Sequence, residues 1–316
     1  MTAANPTASG PTGVPPRGIH HRQLDDDMLL LQRAASASHR HGQILEAIRN
    51  TIAIGLAGGG LVFTLLGQGR TALAILGCTW FIASAFVLKA KASATAREGA
   101  VLQEQLDTAL FNLPWRRAVA VDPIASHDVS RLVRKIKKGG KRDKRITDGW
   151  YDPTHGVHHP YDVLIALEQN LAWDARLRRT YSKWILAAAV AWAAFGAFAG
   201  LVTGATIVQA LLSFFIPSLA GFQLAHEIWT GQRRVAAERE RLAGLVQAEL
   251  RNAQPGPISE DERQRAREFA RDIQDGIFRT RLDVARVPEW LYRLQRDTDE
   301  RDFADTAEGH RRRLAA

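Results

Sequence analysis

Apolar residues in this chain are gathered into blocks separated by strongly polar sequence. From Trp184 to Ala225 there is no Asp, Glu, Lys, Arg or His, a run twice the ~20 residues that one membrane-crossing helix needs. Small, weakly polar residues, Leu201-Val202-Thr203-Gly204-Ala205-Thr206, sit in its middle. The pattern predicts two spanning helices, about Trp184–Val202 and Thr206–Ala225, folded back as a hairpin. The alternative is one long buried helix of a soluble protein, but soluble helices rarely run so far without a charge. Pro217 falls inside the second of these spans, where a kink is tolerated if neighbours satisfy the freed carbonyl. Asn50–Gly69 and Thr71–Leu88 are also uncharged, with Arg70 alone between them. They predict another hairpin, turning at Gly67-Gln68-Gly69-Arg70. Gly55 and Gly59 are four apart, as are Gly196, Gly200 and Gly204. That spacing lets helix backbones approach closely in lipid, either within the set of four spans or across a dimer face.

The polar stretches read as amphipathic helices. Asp25 to Asp27 precede Met28-Leu29-Leu30-Leu31, and acidic residues favour a helix start. Leu102, Leu106, Leu110 and Leu113 form one stripe, which stops at Leu113-Pro114-Trp115 because the residue before proline disfavours helix. A further helix from about Pro160 runs into the third span, with Trp173, Leu177, Tyr181 and Trp184 along one face and Asp174 and Arg178 at i,i+4 spacing. Beyond the fourth span, Leu224, Ile228, Val235, Leu242, Val246 and Leu250 mark a long helix that ends at Pro255-Gly256-Pro257. Ser259 and Glu262 have capping-box spacing ahead of Ala266, Phe269, Ile273 and Ile277. Val287-Pro288 breaks the chain again before a polar terminal helix.

Charge then sets orientation. The chain holds 42 Lys and Arg against 33 Asp and Glu, a formal net charge of +9. Basic residues are heavy before the first span, between the second and third, and after the fourth, whereas the two hairpin turns carry only Arg70. The positive-inside rule places both termini and the central region in the cytoplasm. Arg131 to Arg145 is dense in Lys and Arg and interrupted by Gly139 and Gly140. It reads as a flexible basic loop that either contacts anionic lipid or a nucleotide or only fixes topology. The lone Cys78 excludes a disulfide framework and a Cys-based zinc site and suits a small packed residue. His39 and His41, two apart, do not share a helix face. No Gly-rich phosphate loop, HExxH or nucleophile elbow occurs, so no catalytic residue and no metal ligand is expected, and the chain is not expected to be an enzyme.

The expected organisation is an all-α membrane protein. Residues 1–24 are a disordered segment rich in Pro, Gly, Thr and Ala, 25–50 a cytoplasmic helix, and 51–88 the first hairpin. A cytoplasmic helical region with the basic loop at 131–145 covers 89–183. The second hairpin covers 184–225 and C-terminal cytoplasmic helices 226–316. The cytoplasmic domain is thus built from separated segments.

Several blocks resemble the SMODS-associated four-transmembrane effectors of bacterial anti-phage defence. They are Leu110-Phe111-Asn112-Leu113-Pro114-Trp115, Gly149-Trp150-Tyr151, the stretch from Gln169 to Tyr181, the stretch from Ile273 to Arg281, and Val287-Pro288-Glu289-Trp290-Leu291-Tyr292. The most specific is Trp173-Asp174-x-x-Leu177-Arg178-Arg179-x-Tyr181. The Pro-rich start and the basic stretch at 135–145 depart from that pattern. The resemblance implies a multi-pass effector of the bacterial inner membrane that senses a cyclic oligonucleotide, oligomerises and permeabilises the bilayer. No cofactor is implied beyond that activating ligand, and no nucleic acid polymer is an expected partner.

A cyclic oligonucleotide carries several phosphates, so its site needs clustered cations and aromatic faces. Two mixtures qualify: Arg279 and Arg281 beside Phe278, near Trp290 and Tyr292, and Arg176 and Arg179 with Trp150 and Tyr151. Either set also suits interfacial arginines meeting lipid phosphates. Trp173, Asp174, Arg178 and Tyr181 are expected to couple the cytoplasmic domain to the hairpins. A pore formed by several copies would draw on Gln209, Ser213 and Gln223. The competing readings are a channel or transporter subunit without nucleotide gating, and a membrane-anchored scaffold or enzyme. No ionisable residue lies inside any expected span, which weighs against transport through a single chain.

Overall fold

A computed structural model describes residues 14–15, 17–66, 79–80, 87–283 and 287–315, and among these residues helices and turns form the structure with no strand. The expected turn at Gly67–Arg70, most of the expected second span with Cys78, and residues 1–13 of the expected disordered segment lie outside the described residues. The longer helices are α1 (Asp26–Leu66), α2 (Lys89–Phe111), α3 (Ser126–Val133), α4 (Lys141–Thr147), α5 (Tyr161–Val202), α6 (Ile216–Asn252), α7 (Glu260–Asp283) and α8 (Glu289–Leu314).

Local chemistry accounts for their ends. Asp26 and Asp27 occupy the first turn of α1, where carboxylates meet the positive end of the helix dipole. α2 stops because Asn112 takes a left-handed conformation (φ 54°) and the Leu113 N–H reaches back to the Thr108 carbonyl at 2.9 Å. This is a left-handed helix cap placed just before Pro114. Ser259 Oγ accepts the Glu262 N–H at 3.2 Å. The Glu262 carboxylate is instead bonded by the Tyr161 hydroxyl at 2.8 Å, so the cap is one-sided.

The chain divides into two compact units. The first combines residues 1–40, 95–177 and 235–316, and the second combines 41–94 and 178–234. The first unit has one main core, to which α2, α5, α6, α7 and α8 all contribute. Phe111, Leu164, Leu171, Val246, Leu250 and Ile277 are among its buried members. Gly276 lets α7 approach α6, since a Cβ there would come within 2.8 Å of Leu242. A smaller cluster joins Ala34, Leu102, Val129 and Leu132.

The second unit contains a tight helical reversal. Gly204 has φ +65°, and the Thr206 hydroxyl caps the next turn in a box with Gln209. A π-helical turn, Leu211–Phe215, follows. α6 follows at once with Pro217 as its second residue, whose missing N–H removes one helical hydrogen bond. Gly196 lies against the Phe214 ring, and a Cβ on Gly200 would stand 3.5 Å from Ala210 Cβ. These two small residues therefore serve packing within the chain. The Trp192 indole N–H donates to Ser218 Oγ at 3.0 Å.

Among the described residues α5 is the one helix long and apolar enough to cross a membrane, and only 6% of its most apolar window is buried. The expectation of four spans reaches beyond that observation. The basic stretch at 131–145 is not one flexible loop. Its ends lie in α3 and α4, because Asp143 accepts the Gly139 N–H at 2.8 Å and pairs with Arg33 at 2.6 Å. These contacts hold the Asp143 carboxyl below the usual carboxylate range.

Candidate functional site

The charged interior of the first unit lies between α2 and α7. Glu104 and Asp107 fall one helical turn apart on α2, and Arg271, Gln274, Asp275 and Arg281 recur at three- and four-residue spacings on α7, so each set shares a face. Arg271 is 1% exposed. Its Nη2 donates to Glu104 Oε1 at 2.5 Å, and its Nε to Asp275 Oδ1 at 3.0 Å. Gln274 Nε2 bridges Glu104 Oε2 at 2.7 Å and Asp107 Oδ2 at 3.0 Å. Arg281 Nη2 donates to Asp107 Oδ2 at 2.6 Å, with Glu104 Oε2 3.8 Å from Nη1. Arg116 closes the edge on Asp275 and Asp272. Burial raises the Glu104 pKa, and the Arg281 and Arg271 guanidiniums oppose that rise.

This network redefines the sequence candidates. The Arg281 side chain is a buried counter-ion for Asp107 and Glu104, and Phe278 is buried in the core. Arg279 and Trp290 are exposed, and the Tyr292 side chain lies outside the described residues. Arg279 and Arg281 therefore do not share one surface, because helical positions two apart point about 200° apart.

Trp150 and Tyr151 also pack inward. The Trp150 ring meets Trp173 with centroids 5.2 Å apart, and buried Tyr151 meets Phe111 at 5.5 Å and accepts from Asn170 Nδ2 at 3.4 Å. Their backbone is held by one side chain. Gln23 Oε1 accepts the Trp150 and Tyr151 N–H groups at 2.7 and 2.9 Å, while Gln23 Nε2 donates to the Tyr151 carbonyl at 3.0 Å. On α5, Arg176 is exposed, Arg179 and Tyr181 are half-buried, and Asp174 pairs with Arg239 at 2.9 Å. Buried Arg178 donates to Gln232 Oε1 at 2.6 Å. In the second unit Gln209 and Gln223 are exposed, and Ser213 has no described side chain.

Sequence reasoning passed over a cavity of about 270 Å³ in the first unit, whose lining is drawn from the segments 17–20 and 154–162 and includes Arg17, His20, His155, His158, His159 and Asp162. Four of the chain's ten histidines fall in these two short segments, His20, His155, His158 and His159, and His21 adjoins the first. That density was the available signal. The rings of His20, His21 and His155 cluster, with centroid separations of 3.8, 4.4 and 6.2 Å. Burial and the two neighbouring rings lower the His20 pKa, leaving it neutral at pH 7. His159 Nδ1 lies 3.0 Å from Asp162 Oδ1, in the first turn of α5. Among the described residues no group of three or more His, Cys, Asp and Glu is arranged to hold a metal ion.

Comparison with known proteins gives two matches. The family model of the SMODS-associating 4TM effector domain matches residues 17–310. A probable CBASS effector molecule of Bacillus cereus (strain VD146) is 24% identical over 291 residues, covering 88% of this chain and 93% of that protein. No solved structure matches.

Proposed function

This chain belongs to the SMODS-associating 4TM effector family, and from that premise we propose that it is a CBASS effector of anti-phage defence that breaches the bacterial inner membrane when a cyclic oligonucleotide binds. One observation carries the membrane half of this reading: the face that α5 presents in the second unit. Trp184, Val190, Phe195, Phe198 and Leu201 are all exposed there, Phe198 at 64% and Leu201 at 81%. Contiguous apolar patches on soluble proteins seldom reach this extent, so lipid or further copies of the chain are the natural cover. A conducting opening needs several copies, because neither helix of the reversal encloses a channel by itself. The basic segments flanking the apolar blocks keep both termini in the cytoplasm. Reporter fusions at Gly140 and Ala316 are expected to read cytoplasmic and one at Gly69 periplasmic, and a periplasmic signal at Gly140 overturns the topology.

The test is dye release from liposomes that contain the purified full-length protein. Release is expected only with one member of a panel of cyclic di- and trinucleotides, together with cross-linked oligomers. Full release without nucleotide would instead indicate an ungated channel.

A further inference from the structure

Within the second unit, α6 carries one stripe that changes chemistry along its length. Leu219, Phe222, His226, Trp229 and Arg233 fall within about 80° of arc, at about 100° per helical residue. Leu219, His226 and Arg233 are exposed, and Phe222 and Trp229 are half-buried. The stripe is apolar at Leu219 and Phe222, aromatic at Trp229 and cationic at Arg233. The Arg233 guanidinium lies over the Trp229 ring, 5.2 Å from its centroid. The His226 ring stands 5.9 Å from Trp229 on the other side. Among the described residues no carboxylate pairs with Arg233. Glu227 is the one acidic residue between 178 and 234. It points about 120° away from the centre of the stripe and accepts from Gln223 Nε2 at 3.2 Å.

The depth of the stripe follows from the pairing of α5 with α6. Arg178 donates to Gln232 at 2.6 Å and Trp192 to Ser218 at 3.0 Å. The two bonds are equally spaced along both helices, so they fix one antiparallel register. Trp184 therefore stands level with His226, and Tyr181 with Trp229. At 1.5 Å per residue, Trp184 to Val202 is about 28 Å, close to the ~30 Å of a hydrocarbon core. The aromatic level thus marks the water interface, where such rings are favoured. Phe222 lies about 10 Å deeper than Trp229, and Arg233 about 6 Å above it. Those are the depths of acyl chains and of headgroup phosphates.

We propose that this stripe binds one anionic phospholipid, with the phosphate at Arg233, the glycerol beside Trp229 and an acyl chain along Phe222 and Leu219. Stacking on Trp229 occupies one face of the guanidinium and leaves its in-plane N–H groups for phosphate oxygens. A zwitterionic headgroup brings its own cation and leaves Arg233 less to neutralise. The proposal rests on the membrane half of the function proposed above and not on its nucleotide half.

The test uses the full-length protein in detergent micelles and follows thermal melting, since a ligand that binds the folded state raises the melting temperature. The probes are dioctanoyl-phosphatidylglycerol, dioctanoyl-phosphatidylcholine, and glycerophosphoglycerol as the headgroup without chains. The anionic lipid is expected to bind about fivefold more tightly than the zwitterionic one, the effect of one cation near a lipid phosphate. The chainless headgroup is expected to bind more weakly than either lipid. Arg233→Gln, at an exposed position, should erase the preference. Lys137→Gln, which removes the same charge from an exposed position in the first unit, should keep it. Trp229→Ala should weaken both lipids. For the wild type alone, 0.5 M salt should reduce the preference at least twofold by screening.

Equal binding of the two lipids overturns the proposal, as does a preference that survives in Arg233→Gln or is lost equally in Lys137→Gln. Headgroup binding as tight as that of the anionic lipid would make the site one for soluble phosphates and overturn it too. Melting that depends on protein concentration and on neither lipid would assign the stripe to a second copy of the chain. Extraction from liposomes by alkaline carbonate separates the two readings. A protein that is stripped off sinks the membrane reading and this proposal with it, whereas one that stays inserted without a lipid preference sinks this proposal alone.

Discussion

Arg271→Met is the sharpest probe of what holds the first unit together. The substitution keeps a long apolar side chain of similar reach and removes the guanidinium. In the native protein Glu104, Asp107 and Asp275 face Arg271 and Arg281 inside the unit, with Arg116 completing the balance at its edge. Removing Arg271 leaves one negative charge uncompensated beside Glu104, and it strips the Pro114 carbonyl of a donor at 3.3 Å. Breaking a buried pair at one partner costs about 3–5 kcal/mol. Arg281 remains 3.8 Å from Glu104, which favours the lower end, about 3 kcal/mol. For a unit of this size that corresponds to a drop in melting temperature of roughly 6–12 °C.

The pH dependence has a definite sign. Burial already raises the Glu104 pKa, and Arg271 is one of the two cations that oppose the rise. Without Arg271 it rises further. A carboxyl with a raised folded-state pKa contributes stability below its unfolded value that is lost as pH rises through the folded value. The deficit of the variant should therefore shrink as pH is lowered from 8 toward 5. Differential scanning fluorimetry in detergent measures this, and Glu104→Gln combined with Arg271→Met should recover at least half of the loss. A single variant within 1 °C of wild type at pH 7.5, or a double variant no better than the single, would refute the reasoning.

Two further outcomes follow from the packing. Gln23→Ala orphans two buried N–H groups and a carbonyl at residues 150–151. It should lower stability by about 1–3 kcal/mol, and Gln23→Glu should not restore it, because a carboxylate cannot donate to the Tyr151 carbonyl; thermal melting checks both. Gly196→Val drives a side chain into the Phe214 ring and should cost about 1–3 kcal/mol by overpacking. Gly221→Ala, which meets nothing within 4 Å, should melt like the wild type in the same assay.

Much of the architecture was legible because helical signals are local. The acidic start of α1, the stop before Pro114 and the reversal at 203–205 each follow from a few adjacent residues, and so does the Ser259 cap. The family resemblance rested on short contiguous blocks and is matched over residues 17–310. The site was less legible, because its chemistry is made across the chain. Nothing near Arg281 reveals that its partner is Asp107, 174 positions earlier, so an arginine committed to the core reads like one available to a ligand. The basic stretch around Asp143 reads as a loop until Arg33, 110 positions away, is placed against it. Histidine density at 20–21 and 155–159 was visible, but the two segments meet only in the folded unit.

The discontinuity of the first unit bears on how the protein is made. Glu104 emerges from the ribosome 167 positions ahead of Arg271. At typical rates of roughly 5–20 residues per second, its carboxylate waits on the order of 10–30 s for its counter-ion. The core cannot close during that interval, and both apolar blocks are translated before α7 exists. A nascent or truncated chain ending before residue 260 would thus carry both apolar blocks without the completed first unit, and the order of synthesis makes that unit the last to mature.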